Sequence, residues 1–261
     1  MTLGIDLSAS RVATLVASTI DPVFATIDGW RDALAAELAR RDEPTARELD
    51  PFVESLVRPE LGRIDGLVTG AGFVADPGYL PDAPWHLAWW LGAANTFGAG
   101  AGSGVRRLDA VSDPDSEQFR DYTTLEWWRV PARTGRRHLT GPYVDYLCTD
   151  DYTVTITTPV TVGGELVGLV GTDVYVARLE QVLLPVLRGS GHPCSLVNAS
   201  TRVVASTDAH RAPGSLLRLD GLADALAPLR DRPEGAPAAR LAGGAAVVPC
   251  GDTSLALVLE G

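Results

Sequence analysis

Two carboxylates stand inside stretches that are otherwise apolar and strand-like. Asp145 lies in GPYVDY and Asp173 lies in VGTDVYV. Burying an ionised carboxylate in a strand is costly unless the group is paired or hydrogen-bonded. Each acid is therefore either structural, bonded to backbone amides or to an arginine, or positioned to bind a cation. The residue types alone leave both interpretations open.

Aromatic side chains are concentrated around these two acids. The whole chain is only 7% aromatic, and many of its aromatic residues fall within the segment 119–175. Each aromatic face around a cation contributes about 0.5–2 kcal/mol, and carboxylates add charge-assisted hydrogen bonds to an ammonium group. This segment is therefore the most informative for function. Its residues of interest are Tyr122, Trp127, Trp128, Tyr143, Tyr146 and Tyr152.

Motifs for nucleotide, acyl-transfer and metal chemistry are poorly represented. The glycine-rich run FGAGAGSG at 97–104 is followed by VRRLDAVSDP, where a dinucleotide-binding loop would open a helix, so we interpret it as a surface loop. Ser103 and Ser190 are flanked directly by glycines but do not fit the GxSxG spacing. No two of the four histidines are three or four residues apart, which disfavours a metal site.

The composition excludes several further classes of protein. A formal net charge of -11 and a sequence pI of about 4.8 argue against nucleic-acid binding, which favours a basic surface. The sequence contains no lysine, and its 22 basic residues are all arginines. This excludes Schiff-base lysines, Ser-Lys dyads and the Walker A phosphate loop.

The cysteines and the N-terminus indicate a cytoplasmic protein. Cys148, Cys194 and Cys250 form no CxxC pattern, which is typical of small buried side chains in a reducing compartment. The N-terminus lacks a charged region followed by a long apolar core. No stretch holds eighteen apolar residues without a charge, glycine or proline. We therefore expect no membrane anchor.

The apolar pattern predicts N-terminal helices over residues 22–61. In FATIDGWRDALAAELARR, Phe24 and later apolar residues recur at steps of three and four. Pro44 interrupts this pattern. Asp50-Pro51 fits the N-cap and first turn of a second helix that ends near Leu61.

From residue 64 the pattern predicts strands, so the fold class is α+β. Gly163-Gly164 is a two-residue hairpin signal between two of these strands, which makes them antiparallel. A five-stranded sheet, a helix at 177–188 and a smaller sheet are expected in that order, with a surface loop at 228–239. The predicted strands are 65–75, 86–92, 142–148, 152–162, 165–176, 194–199, 202–206, 240–249 and 253–259.

The sequence from Trp127 to Leu179 resembles the core of double Cache sensor domains. It contains a Trp-Tyr-like pair (WW), a GPYVD strand, a TTPV strand and a GLVGTDV strand, in the family's order. SLVNASTRVVASTD at 195–208 is similar to the hairpin that opens the second, smaller Cache module. The resemblance covers roughly 60–261. It implies two PAS-like antiparallel modules with a ligand pocket in the first.

The resemblance also implies individual site residues. Tyr143 and Asp145 match the family's Y-x-D, and Asp173 matches the final aspartate, which holds the ligand ammonium group. Leu125 stands where amino-acid-binding members have the arginine that grips a carboxylate, and Val130 replaces an acid. Arg129 could replace this arginine, but on a regular strand its side chain would point to the other face. For the same reason, Trp127 and Trp128 could not both face one pocket on a regular strand.

We therefore expect a ligand-binding sensor without catalytic activity. The expected ligand is a small amine, quaternary ammonium or amino acid, bound by Tyr122, Trp127, Trp128, Tyr143, Asp145 and Asp173, with no cofactor and no metal. The expected domains are an N-terminal helical segment (1–62), the first Cache module (63–176), and a linking helix with the second module (177–261).

The implied output is a separate cytosolic partner, for instance a transcription regulator, with no nucleic acid or membrane bound directly. Two alternatives stay open at this point. One is a hydrolase that uses His138 or His86 with Asp145, and the other is a scaffold protein that binds no ligand.

Overall fold

The N-terminal helix α1 runs from Leu7 to Leu38 and buries one stripe of apolar side chains along its length. The computed structural model describes residues 7–96, 104–144, 151–231 and 233–260. Ile20, Ile27 and Leu34 lie on this stripe, at the spacing of one helix face. The predicted start at residue 22 was wrong, because Pro22 lies inside the helix on its exposed side.

Helix α2 runs from Ala46 to Leu61 and begins earlier than the Asp50-Pro51 signal predicted. Thr45 is its N-cap residue. The carboxylate of Asp82 accepts a hydrogen bond of 2.8 Å from the Ala46 amide. The first amides of a helix have no partner within it, so a side chain distant in sequence fixes this start.

Six strands form the first sheet. They are β1 (Val68–Ala75), β2 (Leu87–Leu91), β3 (Arg106–Arg107), β4 (His138–Val144), β5 (Tyr152–Val162) and β6 (Glu165–Tyr175). Their order is β3-β2-β1-β6-β5-β4. The pairings β1–β2, β1–β6, β2–β3 and β5–β6 are antiparallel. The α+β class is confirmed, and β3 is an addition to the five predicted strands.

The β5–β6 hairpin is confirmed as a two-residue turn. Val162 pairs with Glu165. Between them, Gly163 and Gly164 have φ values of 62° and 91°, a backbone conformation that favours glycine and suits a tight hairpin.

Helix α3 (Glu126–Thr134) carries the tryptophan pair, so the expectation that these residues lie on a strand was wrong. Glu126 in its first turn and Arg133 in its last turn complement the helix dipole. Gly135 ends the helix with a φ of 66°. These helix signals outweigh the strand tendency of the neighbouring aromatic residues.

The second sheet has five strands in the order β8-β7-β11-β10-β9, all paired antiparallel. They are β7 (Cys194–Asn198), β8 (Val203–Ser206), β9 (Ala239–Arg240), β10 (Ala246–Pro249) and β11 (Leu255–Leu259). The predicted strand 240–249 is therefore two short strands. The remaining helices are α4 (Val176–Arg188), α5 (Leu222–Leu226) and α6 (Pro228–Asp231), the last of which falls in the predicted loop.

The chain divides into two compact units. One contains α1 up to Pro22, residues 141–143 and everything from Val176 onward. The other contains Val23–Thr140 and Val144–Tyr175, and therefore most of the first sheet. Valines and leucines of β7, β10, β11 and α5 fill a core beside the second sheet.

Among the described residues, α1 is long and apolar enough to cross a membrane by length and composition alone. A buried core helix and an N-terminal signal sequence satisfy the same criterion. The expectation of no membrane anchor therefore stays a prediction.

Candidate functional site

Polar residues gather on the face of the first sheet that α3 covers. Paired residues of neighbouring antiparallel strands point to the same side. Gly70 of β1 pairs with Asp173 of β6, which pairs with Thr155 of β5. Thr157, also on this face, donates a 2.6 Å hydrogen bond from its hydroxyl to the carbonyl of Trp127 in α3.

The Asp173 carboxylate is buried on this face, with only 2% of the residue exposed. Its Oδ1 accepts a 2.7 Å hydrogen bond from the Thr155 hydroxyl. Its Oδ2 lies 3.1 Å from the position that a Cβ at Gly70 would occupy. The sequence predicted a buried carboxylate in this strand, and the structure supplies it with a hydroxyl donor and a neighbouring glycine.

Three of the predicted aromatic residues come together in one cluster. The ring of Tyr122 lies 5.0 Å from that of Trp128 and 6.3 Å from that of Trp127, between centroids. All three are buried. The Tyr122 hydroxyl donates a 2.8 Å hydrogen bond to the carbonyl of Ala75, and burial raises the pKa of the phenol, so it is neutral. The three rings pack against one another, and the Tyr122 hydroxyl already has a hydrogen-bond partner.

A cavity of about 410 Å³ opens beside this cluster. Its walls include Trp85, Leu87, Phe119 and Tyr122, and its volume suits a small molecule. Leu87 pairs with Val74 of β1. Val74 lies four residues from Gly70 along this strand, which is a distance of roughly 13 Å. Asp173 does not line the cavity.

Several polar side chains that line this cavity already have partners within the protein. Arg107 pairs with Asp50, as does His86, and the Tyr122 hydroxyl is bonded. We therefore base the candidate site on Asp173 rather than on the cavity.

The remaining predicted residues lie on β4, at the start of α3 or on it, or outside the residues that the structure describes. Tyr143 lies near the end of β4 and is partly buried. Asp145 lies outside the described residues. Leu125 immediately precedes α3, and Arg129 is exposed on that helix rather than on a strand.

The sequence analysis missed two residues at the site, Trp89 and Gly70. Trp89 of β2 is 5% exposed, and its Nε1 lies 2.9 Å from the position of a Cβ at Gly70. Within the part of the chain that the structure describes, this indole nitrogen has no hydrogen-bond partner. Alternation along HLAWWLG puts Trp89 and Trp90 on opposite faces, which was the available signal.

The histidines of the hydrolase alternative have other partners. His86 Nε2 lies 2.7 Å from Asp50 Oδ1, and His138 Nε2 lies 3.0 Å from Glu126 Oε1. Over residues 7–96, 104–144, 151–231 and 233–260, no group of three or more His, Cys, Asp or Glu side chains could hold a metal ion. Each histidine is therefore engaged by a carboxylate of a helix, His86 by that of Asp50 in α2 and His138 by that of Glu126 in α3.

Comparison with protein families found one match. Residues 105–181 match the family described as methyl-accepting chemotaxis protein-like, first PDC sensor domain. The matched segment contains α3 and the strands β4 to β6, and thus Asp173. The comparison with curated proteins found no match.

Solved structures of chemoreceptor sensor domains share the fold. Methyl-accepting chemotaxis protein X is 16% identical with a TM-score of 0.60, and the match covers 97% of this chain and 94% of that one. The ligand-binding domain of the Pseudomonas aeruginosa PAO1 amino-acid chemoreceptor PctC, solved with GABA, is 17% identical with a TM-score of 0.52, covering 95% and 94%. That of Pseudomonas fluorescens CtaA, solved with L-valine, is 15% identical with a TM-score of 0.53, covering 97% and 93%.

Both modules predicted from the sequence are accounted for by this fold. Sensor domains of chemoreceptors and histidine kinases are not enzymes, in agreement with the expectation that this chain catalyses no reaction. The resemblance is thus confirmed: the chain has the fold of the double Cache sensor domains, and its residues 105–181 match their first PDC module.

Proposed function

We propose that the chain is a small-molecule sensor whose first module, residues 63–176, binds a cationic or zwitterionic ligand through Asp173. The observation that carries the proposal is the buried carboxylate beside Gly70, on the sheet face under α3. A desolvated carboxylate attracts an ammonium group strongly. Amines, quaternary ammonium compounds and amino acids all provide such a cation.

The two chemoreceptor domains solved with ligands support this choice of ligand class. GABA and L-valine, the molecules named with PctC and CtaA, both carry an ammonium group at neutral pH. Asp145 and Tyr143, which match the family's Y-x-D by sequence, are proposed to complete the cation site. Trp127 and Trp128 are proposed to close it from α3.

The test compares Asp173→Asn with the unmodified chain. A thermal-shift screen of amines and amino acids first selects a ligand, since a ligand at a hundred times its Kd adds about 2.7 kcal/mol of stability. Calorimetry then measures its affinity. Asp173→Asn keeps the shape of the side chain but removes its charge, so affinity should fall by about 2–5 kcal/mol, with little change in unliganded stability.

Asp76→Asn is the matched control, because Asp76 lies in the same unit just beyond the opposite end of β1. It should leave the affinity unchanged. If Asp173→Asn lowers the melting temperature of the unliganded chain and leaves the affinity intact, Asp173 is structural and the proposed cation site is wrong. If no compound in the screen stabilises the chain, the scaffold alternative is favoured.

For the output, we propose that residues 177–261 pass the ligand-bound state to a separate cytosolic protein, such as a transcription regulator. The described strands of the second sheet carry no aromatic residue, which favours a relay over a second ligand pocket. Proximity labelling in the native host, with and without the selected ligand, should recover a cytoplasmic partner. Labelling of extracytoplasmic proteins alone would contradict the proposed location.

A further inference from the structure

The indole N–H of Trp89 is a buried hydrogen-bond donor without a protein acceptor in the described ranges. An indole nitrogen can only donate, and buried tryptophan N–H groups usually have a partner. Leaving such a donor unsatisfied is unfavourable enough that each instance calls for an explanation. A ligand atom or a bound water that accepts this hydrogen would provide one.

The position of this N–H relates it to the proposed cation site. Trp89 pairs with Gly72, and Asp173 pairs with Gly70, so both side chains lie on the face that α3 covers. A Cβ at Gly70 would lie 2.9 Å from Trp89 Nε1 and 3.1 Å from Asp173 Oδ2. The indole nitrogen and the carboxylate oxygen are therefore no more than about 6 Å apart, close enough for one small ligand to bond to both. Because residue 70 is glycine, it places no side chain of its own in the space between them.

The two groups select opposite partners. The carboxylate of Asp173 attracts a cation or a hydrogen-bond donor, whereas the indole N–H requires an acceptor oxygen or nitrogen. A plain alkylamine or a quaternary ammonium ion can satisfy only the carboxylate. A molecule with an acceptor within two or three bonds of its ammonium group can satisfy both.

We infer that Trp89 is a ligand-binding residue whose N–H donates to an acceptor adjacent to the ligand's cationic group. The inference rests on the proposed function and narrows it. The ligand belongs to the compounds that combine an ammonium group with a neighbouring oxygen, such as amino acids, amino amides and amino alcohols. The donor also offers an anchor for an oxygen at a site where Leu125 replaces the family's arginine.

The test uses Trp89→Phe, which keeps an aromatic ring and removes the N–H. Trp90→Phe is the matched control, because it makes the same change at the next residue, on the opposite face of β2. L-valine, L-valinol and isobutylamine are the probes, and they differ in carrying a carboxylate, a hydroxyl or no oxygen. Calorimetry measures the affinity of each probe for each protein.

Trp89→Phe should lower the affinity for L-valinol by about 2–10-fold and the affinity for L-valine by roughly 10–100-fold. The larger loss is expected for L-valine because hydrogen bonds to charged acceptors are stronger. Isobutylamine should bind the variant and the unmodified chain equally, and Trp90→Phe should change no affinity. In a ¹⁵N spectrum, the indole peak that disappears in Trp89→Phe should shift when L-valinol is added to the unmodified chain. Isobutylamine should leave that peak unmoved.

Equal affinities of Trp89→Phe and the unmodified chain for all three probes, or an unmoved indole peak, would overturn the inference. The proposed function would still stand if Asp173→Asn abolished binding of the same probes. If Trp89→Phe fails to fold, the indole peak of the unmodified chain decides alone, with its assignment made from Trp89→Tyr. If none of the probes binds the unmodified chain at millimolar concentration, the inference is wrong for these compounds, and the thermal-shift screen of amines and amino acids decides the proposed cation site separately.

Discussion

Asp50 joins helix α2 to the first sheet through two side chains, those of His86 and Arg107. Its carboxylate lies 2.7 Å from His86 Nε2 and 2.5 Å from Arg107 Nη1. The guanidinium of Arg107 also stacks 5.4 Å from the ring centre of Trp90. A half-buried carboxylate with partners on both oxygens is a structural feature rather than a binding site.

The ionisation of Asp50 is coupled to folding. Burial alone raises the pKa of Asp50, but hydrogen bonding and charge from His86 and Arg107 outweigh it, so the pKa is lower than usual. A carboxyl whose pKa is lower in the folded chain stabilises the fold above its unfolded pKa. This stability is lost as the pH falls through the folded value.

We predict that Asp50→Asn lowers the free energy of unfolding by about 1–3 kcal/mol at pH 7. The difference from the unmodified chain should shrink as the pH falls below about 4, where the carboxyl of the unfolded chain becomes protonated while that of the folded chain is still ionised. Urea unfolding of both proteins at a series of pH values measures this difference in the free energy of unfolding. Asp109→Asn, at an exposed position, is the control and should have little effect. A difference that does not depend on pH would contradict the role of the charge.

At the scale of elements, α3 depends on the sheet to complete its own backbone. The Trp127 carbonyl would normally accept from the amide of residue 131, but Pro131 has no N–H. The hydroxyl of Thr157 in β5 donates to this carbonyl at 2.6 Å. The proline thus frees a buried acceptor, and a threonine from another element satisfies it.

Thr157→Val should therefore destabilise the chain by about 1–3 kcal/mol, because it leaves the carbonyl of Trp127 without a donor. Pro131→Ala restores an amide in α3, so the same valine substitution should be much less harmful in that background. Urea unfolding of the two single variants and the double variant measures this coupling.

Thr158→Val is the control for this cycle. Its hydroxyl is buried and has no partner among residues the structure describes, so valine there should be neutral or stabilising. Equal losses from Thr157→Val in the proline and alanine backgrounds would show that the hydroxyl contact does not replace the missing helix bond.

Elements specified by local rules were predictable from the sequence. The β5–β6 hairpin follows from Gly163-Gly164 between two strand-like runs, and its two-residue turn and antiparallel pairing were predicted correctly. The helix that carries Trp127 and Trp128 was not predicted, because aromatic residues favour strands, whereas this short helix is stabilised by its termini and by Thr157. The conformation of this segment therefore depends on a contact with another element, the hydrogen bond from Thr157 of β5.

The sequence predicted the part of the candidate site that depends on one unusual residue, and it missed the parts that depend on strand register. Asp173 stands out as an acid in an apolar strand, and its burial follows from that position. Trp89 and Gly70 became visible only through the register of β2, β1 and β6, which joins residues about a hundred positions apart in the sequence. Nothing local in HLAWWLG indicates which tryptophan faces the acid.

At the scale of the whole molecule, α1 combines a buried apolar stripe with a polar exposed face. Val12, Val16 and Ile20 are buried, while Arg11 and Asp21 are exposed. A charged residue at the centre of a membrane-spanning helix is unfavourable by about 2.5–3.5 kcal/mol on insertion scales. The net charge of -11 also opposes association with anionic lipid surfaces.

We therefore predict that the chain is recovered in the supernatant after cell lysis, high-speed centrifugation and alkaline carbonate extraction. The apolar stripe of α1 is already buried against the protein, and the helix carries the exposed Asp21 near the middle of the candidate span Ser8–Leu38. The variant Arg11→Leu/Asp21→Leu removes both charges from the exposed face and should move part of the chain into the carbonate-resistant pellet. Recovery of the unmodified chain in that pellet would show that α1 crosses the membrane, and the cytoplasmic location proposed for this sensor would be wrong.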